Sequence, residues 1–504
     1  MEVLNKPRAW LAFLFCAGLL HWLVYFYLAY PEGGDRAWMG LIHQPQQWFS
    51  VRAFDAHDWY KDINFLRVLK EAIRTRTLPF HSPDLSVWAA SPNGSDRFLA
   101  TLVYPWSPQI LLLSVLGPSA FIPVNLMLMY AVGFWGALLL RKVFGLGAMA
   151  FTFFFLIFNF NGYFVTKISV YPSSMFGYFL MPFFLWAVLR SAETPPAAVK
   201  EHVRLGVFLG LTLAGMVYQG TFHLFVECVT FLFVWVISDF KRWRVPIVAC
   251  ITAGLTAAAR LLPAVVSFGP GASPHAGQAG YPSPNTLVEG LTAIRTQFVP
   301  PLFCWHEYSL YVSLIGTYAL IYFGLWGPFM RSDWVRFHGW RAVWIPCAVL
   351  LVISCGYLKL YIIPNWIPLL NAESVKTRYM IIPLLMVAAI ASINLQGFLK
   401  KYGSVQRVKA LIAAAGAGLA YFLFNNTRVW RMHKIQVEYD QAVTSGLTPP
   451  SPEIWPQIQN ELSDTVYIQA FWVGCAVSLC ALVFLTAAWI RQRKARHEQG
   501  VQPS

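Results

Sequence analysis

The stretch Phe54-Asp55-Ala56-His57-Asp58-Trp59-Tyr60-Lys61-Asp62 sets three carboxylates and an imidazole within eight residues. Such groups suit general-base chemistry, because a carboxylate whose pKa is raised by partial burial can take the proton of an attacking hydroxyl. Asp is also a favoured N-cap residue and acids suit a helix's first turn, so capping accounts for any one of Asp55, Asp58 and Asp62, though one cap needs only one of them. Further along, Trp305-His306-Glu307-Tyr308 places an acid between an imidazole and a phenol, a group fitted to bind acceptor hydroxyls or, in its plainer role, to cap a helix. Lys376 and Arg378 lie just before Tyr379. A guanidinium there matches phosphate oxygens two at a time; snorkelling to lipid headgroups is the ordinary alternative. Arg295, ahead of Pro300-Pro301, is a second basic candidate. No outer Asp-x-Asp pattern and no Cys/His ligand spacing calls for a metal, and His57 is as readily a surface residue as a ligand, so no cofactor is expected; a divalent ion at Glu307 is the alternative.

These side chains need elements to hold them. Ile63, Leu66, Leu69 and Ile73 recur at helical spacing while Lys61, Arg67, Lys70, Glu71 and Arg74 take other faces, which predicts an amphipathic helix lying in a membrane interface. The rest of the chain supplies the membrane. Of 504 residues 57% are hydrophobic and 12% charged, about half the charged share of a soluble protein. The apolar residues fall in blocks close to the ~20 residues that cross a bilayer. Lys6 and Arg8 precede the first block as they would in a signal peptide, but no small-residue cleavage site stands before Pro31, so it reads as a retained helix.

Placing each Lys/Arg cluster on the cytoplasmic side gives about twelve spans, near 10–30, 119–140, 144–160, 174–190, 204–219, 220–237, 245–266, 308–329, 342–357, 379–396, 409–425 and 467–490, with both termini cytoplasmic. The fold class is thus an all-α integral membrane protein. The long segments, near 31–118, 267–307 and 426–466, fall outside, and 16 of the 23 acids lie in outer segments, so function is expected on that face. Glu227 is the one acid inside an expected span. A structural ion pair with Arg260 is expected for it ahead of a proton relay, and His223 and Gln219 could equally be its partners.

Charge and motifs exclude several classes. The net charge of +15 is scattered between spans without a basic aromatic patch, which argues against nucleic acid. Seven of the eight cysteines sit in apolar blocks and give no disulfide framework. No Gly-rich phosphate loop points to a nucleotide substrate, and no internal repeat supports a transporter of two related halves. Residues 110–116 are too few to span and are expected to form a second helix at the outer surface, whereas the Pro/Gly/Ser-rich run 269–284 suits either a lid or a plain connector.

The order of these parts resembles the GT-C superfamily of membrane glycosyltransferases: one span, an acidic start to a long first outer loop, an amphipathic helix ending at Leu78-Pro79, a Tyr104-Pro105 segment, then many spans. More narrowly it resembles the bacterial YfhO-like branch, on Arg260-Leu261-Leu262-Pro263, Trp305-His306-Glu307-Tyr308-Ser309-Leu310-Tyr311-Val312 and Lys376-Thr377-Arg378-Tyr379-Met380-Ile381-Ile382-Pro383, over about residues 10–400. The resemblance implies a polyprenyl-phosphate-linked sugar as donor and an essential acid in the first outer loop. Asp58 best matches that acid by its distance to Leu78-Pro79, with Asp55 and Asp62 next; Asp62 stands where members of that branch often carry an amide. It further implies a bacterial cytoplasmic membrane with the site facing outward and an extracytoplasmic glycan, lipid or protein as acceptor.

The resulting expectation is an inverting glycosyltransferase with an Asp base, a donor phosphate held by Arg378, Lys376 and Arg295, and acceptor contacts from Glu307, His306, His57 and Tyr308. Its catalytic region would be 1–425, followed by a small outer element at 426–466 and a last span with a basic tail at 467–504. A lipid-linked sugar flippase or transporter is the alternative.

Overall fold

The computed structural model describes residues 7–27, 58–82, 96–268, 280–295, 298–299, 303–330, 333–356, 375–430, 458–459 and 464–498. Asp55, His57 and the segment 269–279 lie outside them. Among the described residues seven helices or helix runs are long and apolar enough to cross a membrane, eight if a pair bent by 81° counts as one span, and three further apolar helices are shorter. The chain is a multi-pass membrane protein.

In chain order the helices are α1 (Pro7–Tyr27), α2 (Asp58–Thr75), α3 (Pro118–Phe144), α4 (Ala148–Phe160), α5 (Gly162–Val170) and α6 (Met181–Glu193). Then come α7 (Val199–Tyr218), α8 (Phe222–Ser238), α9 (Arg244–Thr256), α10 (Ala258–Phe268) and α11 (Pro284–Thr292). A short antiparallel ribbon follows, β1 (Phe298–Val299) with β2 (Phe303–Cys304), so the described residues are not wholly helical. The chain closes with α12 (Ser313–Ala319), α13 (Trp340–Ser354), α14 (Ile381–Tyr402), α15 (Gln406–Val429) and α16 (Thr465–Glu498). Two of these helices shift expected boundaries. Residues 426–429 are the end of α15 rather than the start of an outer element, and α16 continues past 490 through the stretch expected to be a basic tail.

Local chemistry explains the ends. Helix α3 opens with Pro118 at its first position and closes with Arg141 and Lys142 in the last turn, followed by Gly145 at φ 61°. Proline tolerates the missing amide at a helix start, cations suit the C-terminal carbonyls, and glycine accepts the left-handed exit. The run 148–170 is broken at Asn161, which caps α5 by accepting the Phe164 amide at 3.0 Å and donates to the Tyr178 hydroxyl at 2.7 Å. Stacks of Phe158 and Phe164 on Tyr178, with ring centres 5.1 and 4.4 Å apart, clamp α4 and α5 to the turn Pro172–Leu180. Each such pair adds about 0.5–1.5 kcal/mol beyond area burial.

Helix α2 realises the expected amphipathic pattern. Ile63, Phe65, Leu66, Val68, Leu69 and Ala72 are buried, and Phe65 packs its ring on Phe98 and Tyr104. Its neighbours include the turn Pro108–Ser114, a single tight helical segment where a second surface helix was expected.

Candidate functional site

The buried carboxylate of Glu307 is the meeting point of three separate parts of the chain. It is carried by the turn Trp305–Glu307 at the end of the ribbon. Lys167, on α5, and Tyr171, just past its end, bond the two carboxylate oxygens. Arg378, on the turn Lys376–Met380 that leads into α14, completes the set with Nε 3.2 Å from Oε2 and Nη2 2.7 Å from Oε1. Lys167 also donates to the Tyr171 hydroxyl at 2.7 Å, and the Arg378 guanidinium lies 5.4 Å from the centre of the Tyr171 ring. His306 Nε2 is 3.4 Å from Oε1.

Two sequence choices allow this. Gly162 opens α5 where any Cβ would collide with Ser309 Oγ and the Tyr311 amide, and its own amide donates to the Tyr311 carbonyl at 2.8 Å. The missing side chain is what lets the 305–311 segment lie against α5. Thr166 then donates to the His306 carbonyl at 3.1 Å, fixing the turn so that Glu307 meets Lys167.

Electrostatics follow from burial. Side-chain exposure is 0% for Lys167, 5% for Glu307 and 11% for Arg378, so solvent screens the cluster poorly and reaches it by Arg378. Burial alone would raise the Glu307 pKa, but Arg378, Lys167 and His306 outweigh it and hold the carboxyl well below its ordinary value. Removing one partner from such a buried pair costs about 3–5 kcal/mol, because the other charge is left uncompensated.

The first-loop helix docks close by. Asp62, 3% exposed, accepts the Ser173 amide at 2.8 Å, two residues beyond Tyr171. Asp58 stands one turn earlier, at the start of α2; its side chain is outside the described residues.

The sequence candidates thus separate. Glu307, His306 and Arg378 come together, whereas Tyr308 packs on Tyr281 and Trp305 and Lys376 places its Nζ 5.9 Å from the Tyr379 ring centre. Arg295 lies nearer the surface, paired to Glu289 at 3.1 Å and packed over the Trp305 ring at 5.3 Å. Lys167 and Tyr171 were missed by the sequence reading; their signal was a lysine and a tyrosine four residues apart after the Asn161-Gly162 break. Among the described residues no group of three or more His, Cys, Asp or Glu is arranged to hold a metal.

The expected Glu227–Arg260 pair does not form. Arg260 is 1% exposed, and its terminal amino groups donate to the carbonyls of Leu99 (3.2 Å), Thr101 (2.7 Å) and Tyr104 (3.5 Å) and to the Tyr104 hydroxyl (3.2 Å). The bent α9–α10 pair turns this arginine into the 97–104 segment instead. Gly220, at φ 76°, lets the end of α7 close on the Tyr104 backbone. Burial pushes the Tyr104 hydroxyl up to about 12 against the pull of Arg260.

A cavity of about 420 Å³ begins two residues beyond Arg378. Met380, Pro383, Leu384 and Val387 form one wall, Trp340, Val343, Trp344 and Cys347 another, and Leu287 and Leu291 of α11 a third. Its lining is almost wholly apolar.

No family profile and no curated protein matches the chain. A solved structure, the cryo-EM structure of the arabinofuranosyltransferase AftD from mycobacteria, aligns at 16% identity and a TM-score of 0.47, covering 85% of this chain and 27% of that one. The chain therefore spans about a quarter of that enzyme's length.

Proposed function

We propose that the chain is a membrane glycosyltransferase that moves a sugar from a polyprenyl-phosphate donor to an extracytoplasmic acceptor. The observation that carries the reading is the junction of a cationic cluster with an apolar cavity: Lys167, Tyr171 and Arg378 supply donors for a phosphate, and the cavity starting at Met380 supplies a berth for a lipid tail. Its ~420 Å³ is within the roughly 300–1,000 Å³ usual for ligand sites. An anionic head on a long apolar tail needs both at once.

In this mechanism Arg378, with Lys376 beside it, meets the charge that develops on the departing phosphate, an electrostatic role worth most where water is excluded. Asp58 is the base that takes the acceptor's proton, and Asp62 anchors its helix through Ser173. A single base and direct displacement would invert the anomeric centre. The twelve-span arrangement with cytoplasmic termini belongs to the same proposal, because it puts Glu307, Arg378 and the start of α2 at the outer face.

The test is sugar transfer by purified protein in lipid, using a panel of polyprenyl-phosphate sugars and envelope acceptors, with Asp58→Asn and Arg378→Met beside the wild type. Transfer by wild type that vanishes in folded Asp58→Asn supports the enzyme and its base. Wild type that binds the lipid-linked sugar and transfers nothing from any donor moves the chain to the flippase reading.

A further inference from the structure

Glu307 receives four donor atoms from two cations and a phenol, and among the described residues its other close partner is the neighbouring His306. Arg378 meets it with Nε and one amino group, the edge by which a guanidinium grips two oxygens of a carboxylate or a phosphate alike. The donors sit at the end of α5 and the threshold of α14, and the acid on the turn Trp305–Glu307, whose His306 carbonyl Thr166 holds, so an exchange of partners asks only the Glu307 side chain to swing. The most exposed member of the cluster's acid and two cations is Arg378, two residues before Met380 of the cavity lining.

We propose that Glu307 is a resident anion standing in the place of the donor phosphate, and that the phosphate enters by exchanging with it on Lys167, Tyr171 and Arg378. The inference rests on the donor reading above and adds how the site is gated. With no incoming anion, Glu307 stays, since leaving would give up its bonds to two cations and a phenol. When a phosphate brings its own oxygens, the cations pass from one anion to another and the carboxylate moves to the His306 side. Once away from Arg378 and Lys167 it loses the neighbours that hold it ionised, so a group inert in the empty site becomes able to bind or deprotonate a hydroxyl after the donor has arrived. Donor then binds before acceptor.

A carboxylate that only braces the fold makes opposite predictions. The first experiment measures binding of inorganic phosphate to the full chain in lipid nanodiscs, by radiolabel and by thermal shift, for wild type, Glu307→Gln and Glu307→Gln/Arg378→Met. Exchange predicts at least tenfold tighter phosphate binding in Glu307→Gln than in wild type, lost in the double variant. Folded Glu307→Gln with no gain overturns it.

The second experiment needs no variant. Carbodiimide modification of Glu307 in wild type, mapped by mass spectrometry, should accelerate several-fold when vesicles carry polyprenyl phosphate, compared with the same vesicles without it or with free phosphate at equal concentration. An unchanged or slower rate overturns the exchange even if Glu307→Gln does not fold. Tighter phosphate binding in a protein that never transfers sugar would leave the exchange standing and remove the transferase reading. Transfer without unmasking of Glu307 would do the reverse.

Discussion

Two arginines of this molecule, one buried and one nearly so, are held in opposite ways. Arg260 gives its amino groups to three carbonyls and a phenol, all neutral, and lies 4.6 Å from the centre of the Tyr104 ring. Arg378 gives its edge to the Glu307 carboxylate, with a second cation, Lys167, on the same acid. Neutral carbonyls fixed in a backbone turn cannot leave, so the first arginine ties the 97–104 segment to α10. Under the exchange proposed above, a carboxylate is a partner whose place an anion of similar shape can take. The same residue type would then be a strut at one site and a receptor at the other, decided by what accepts its protons.

The largest expected effects are at the receptor. Lys167→Met leaves Glu307 short of one of its two cations and should destabilise the protein by about 3–5 kcal/mol, read as the shift in its unfolding midpoint. Adding Glu307→Gln should restore part of that loss, since a buried amide costs less than an uncompensated charge; a double variant no better than the single would show that Lys167 acts through other contacts. Arg378→Met should lower transfer at least about 100-fold with a smaller change in stability, as expected when a group stabilising developing charge is removed.

The strut should behave differently. Arg260→Met strands the carbonyls of Leu99 and Thr101 and is expected to cost about 1–3 kcal/mol, while transfer per folded molecule stays near wild type. A folded Arg260→Met without transfer would dissolve the contrast between the two arginines. Acid titration divides them again. The Glu307 carboxyl is held well below its ordinary value in the folded protein, so its stabilising contribution is complete above the unfolded carboxyl pKa of about 4.3 and fades as pH falls below that. Stability traceable to Glu307, taken as the difference between wild type and Glu307→Gln, should therefore decline as pH falls below about 4.3.

Much of the scaffold was legible because bilayer physics acts on composition. Each apolar block long enough to cross a membrane leaves a signal that survives without tertiary context, and so does the face of α2 that buries Leu66 and Leu69. The site was legible in part. Glu307 and Arg378 stood out as charged groups at the outer ends of apolar runs, but their contact spans 71 residues of sequence and no local pattern specifies it. Lys167 was hidden because the run after Asn161 reads as a connection between spans, when it is a buried nine-residue helix. Arg260 was given the wrong partner for a related reason. Depth in the membrane pairs it with Glu227, whereas the 81° bend between α9 and α10 carries it to a segment more than 150 residues earlier.

The smallest expected effect separates the two first-loop acids that remain in play. Asp62 accepts the Ser173 amide, and Asn at that position keeps an acceptor oxygen, so Asp62→Asn exchanges a charged hydrogen bond for a neutral one at a cost of about 1 kcal/mol. Transfer should then fall by no more than the lost folded fraction, measured on the same preparation. Asp58 sits one turn earlier, with its helix held by that bond, so Asp58→Asn should abolish transfer while leaving the unfolding midpoint almost unmoved. If Asp62→Asn instead loses all transfer with the fold intact, the buried acid beside Tyr171 is the base, and the Ser173 contact is what orients it for the acceptor rather than what anchors the helix.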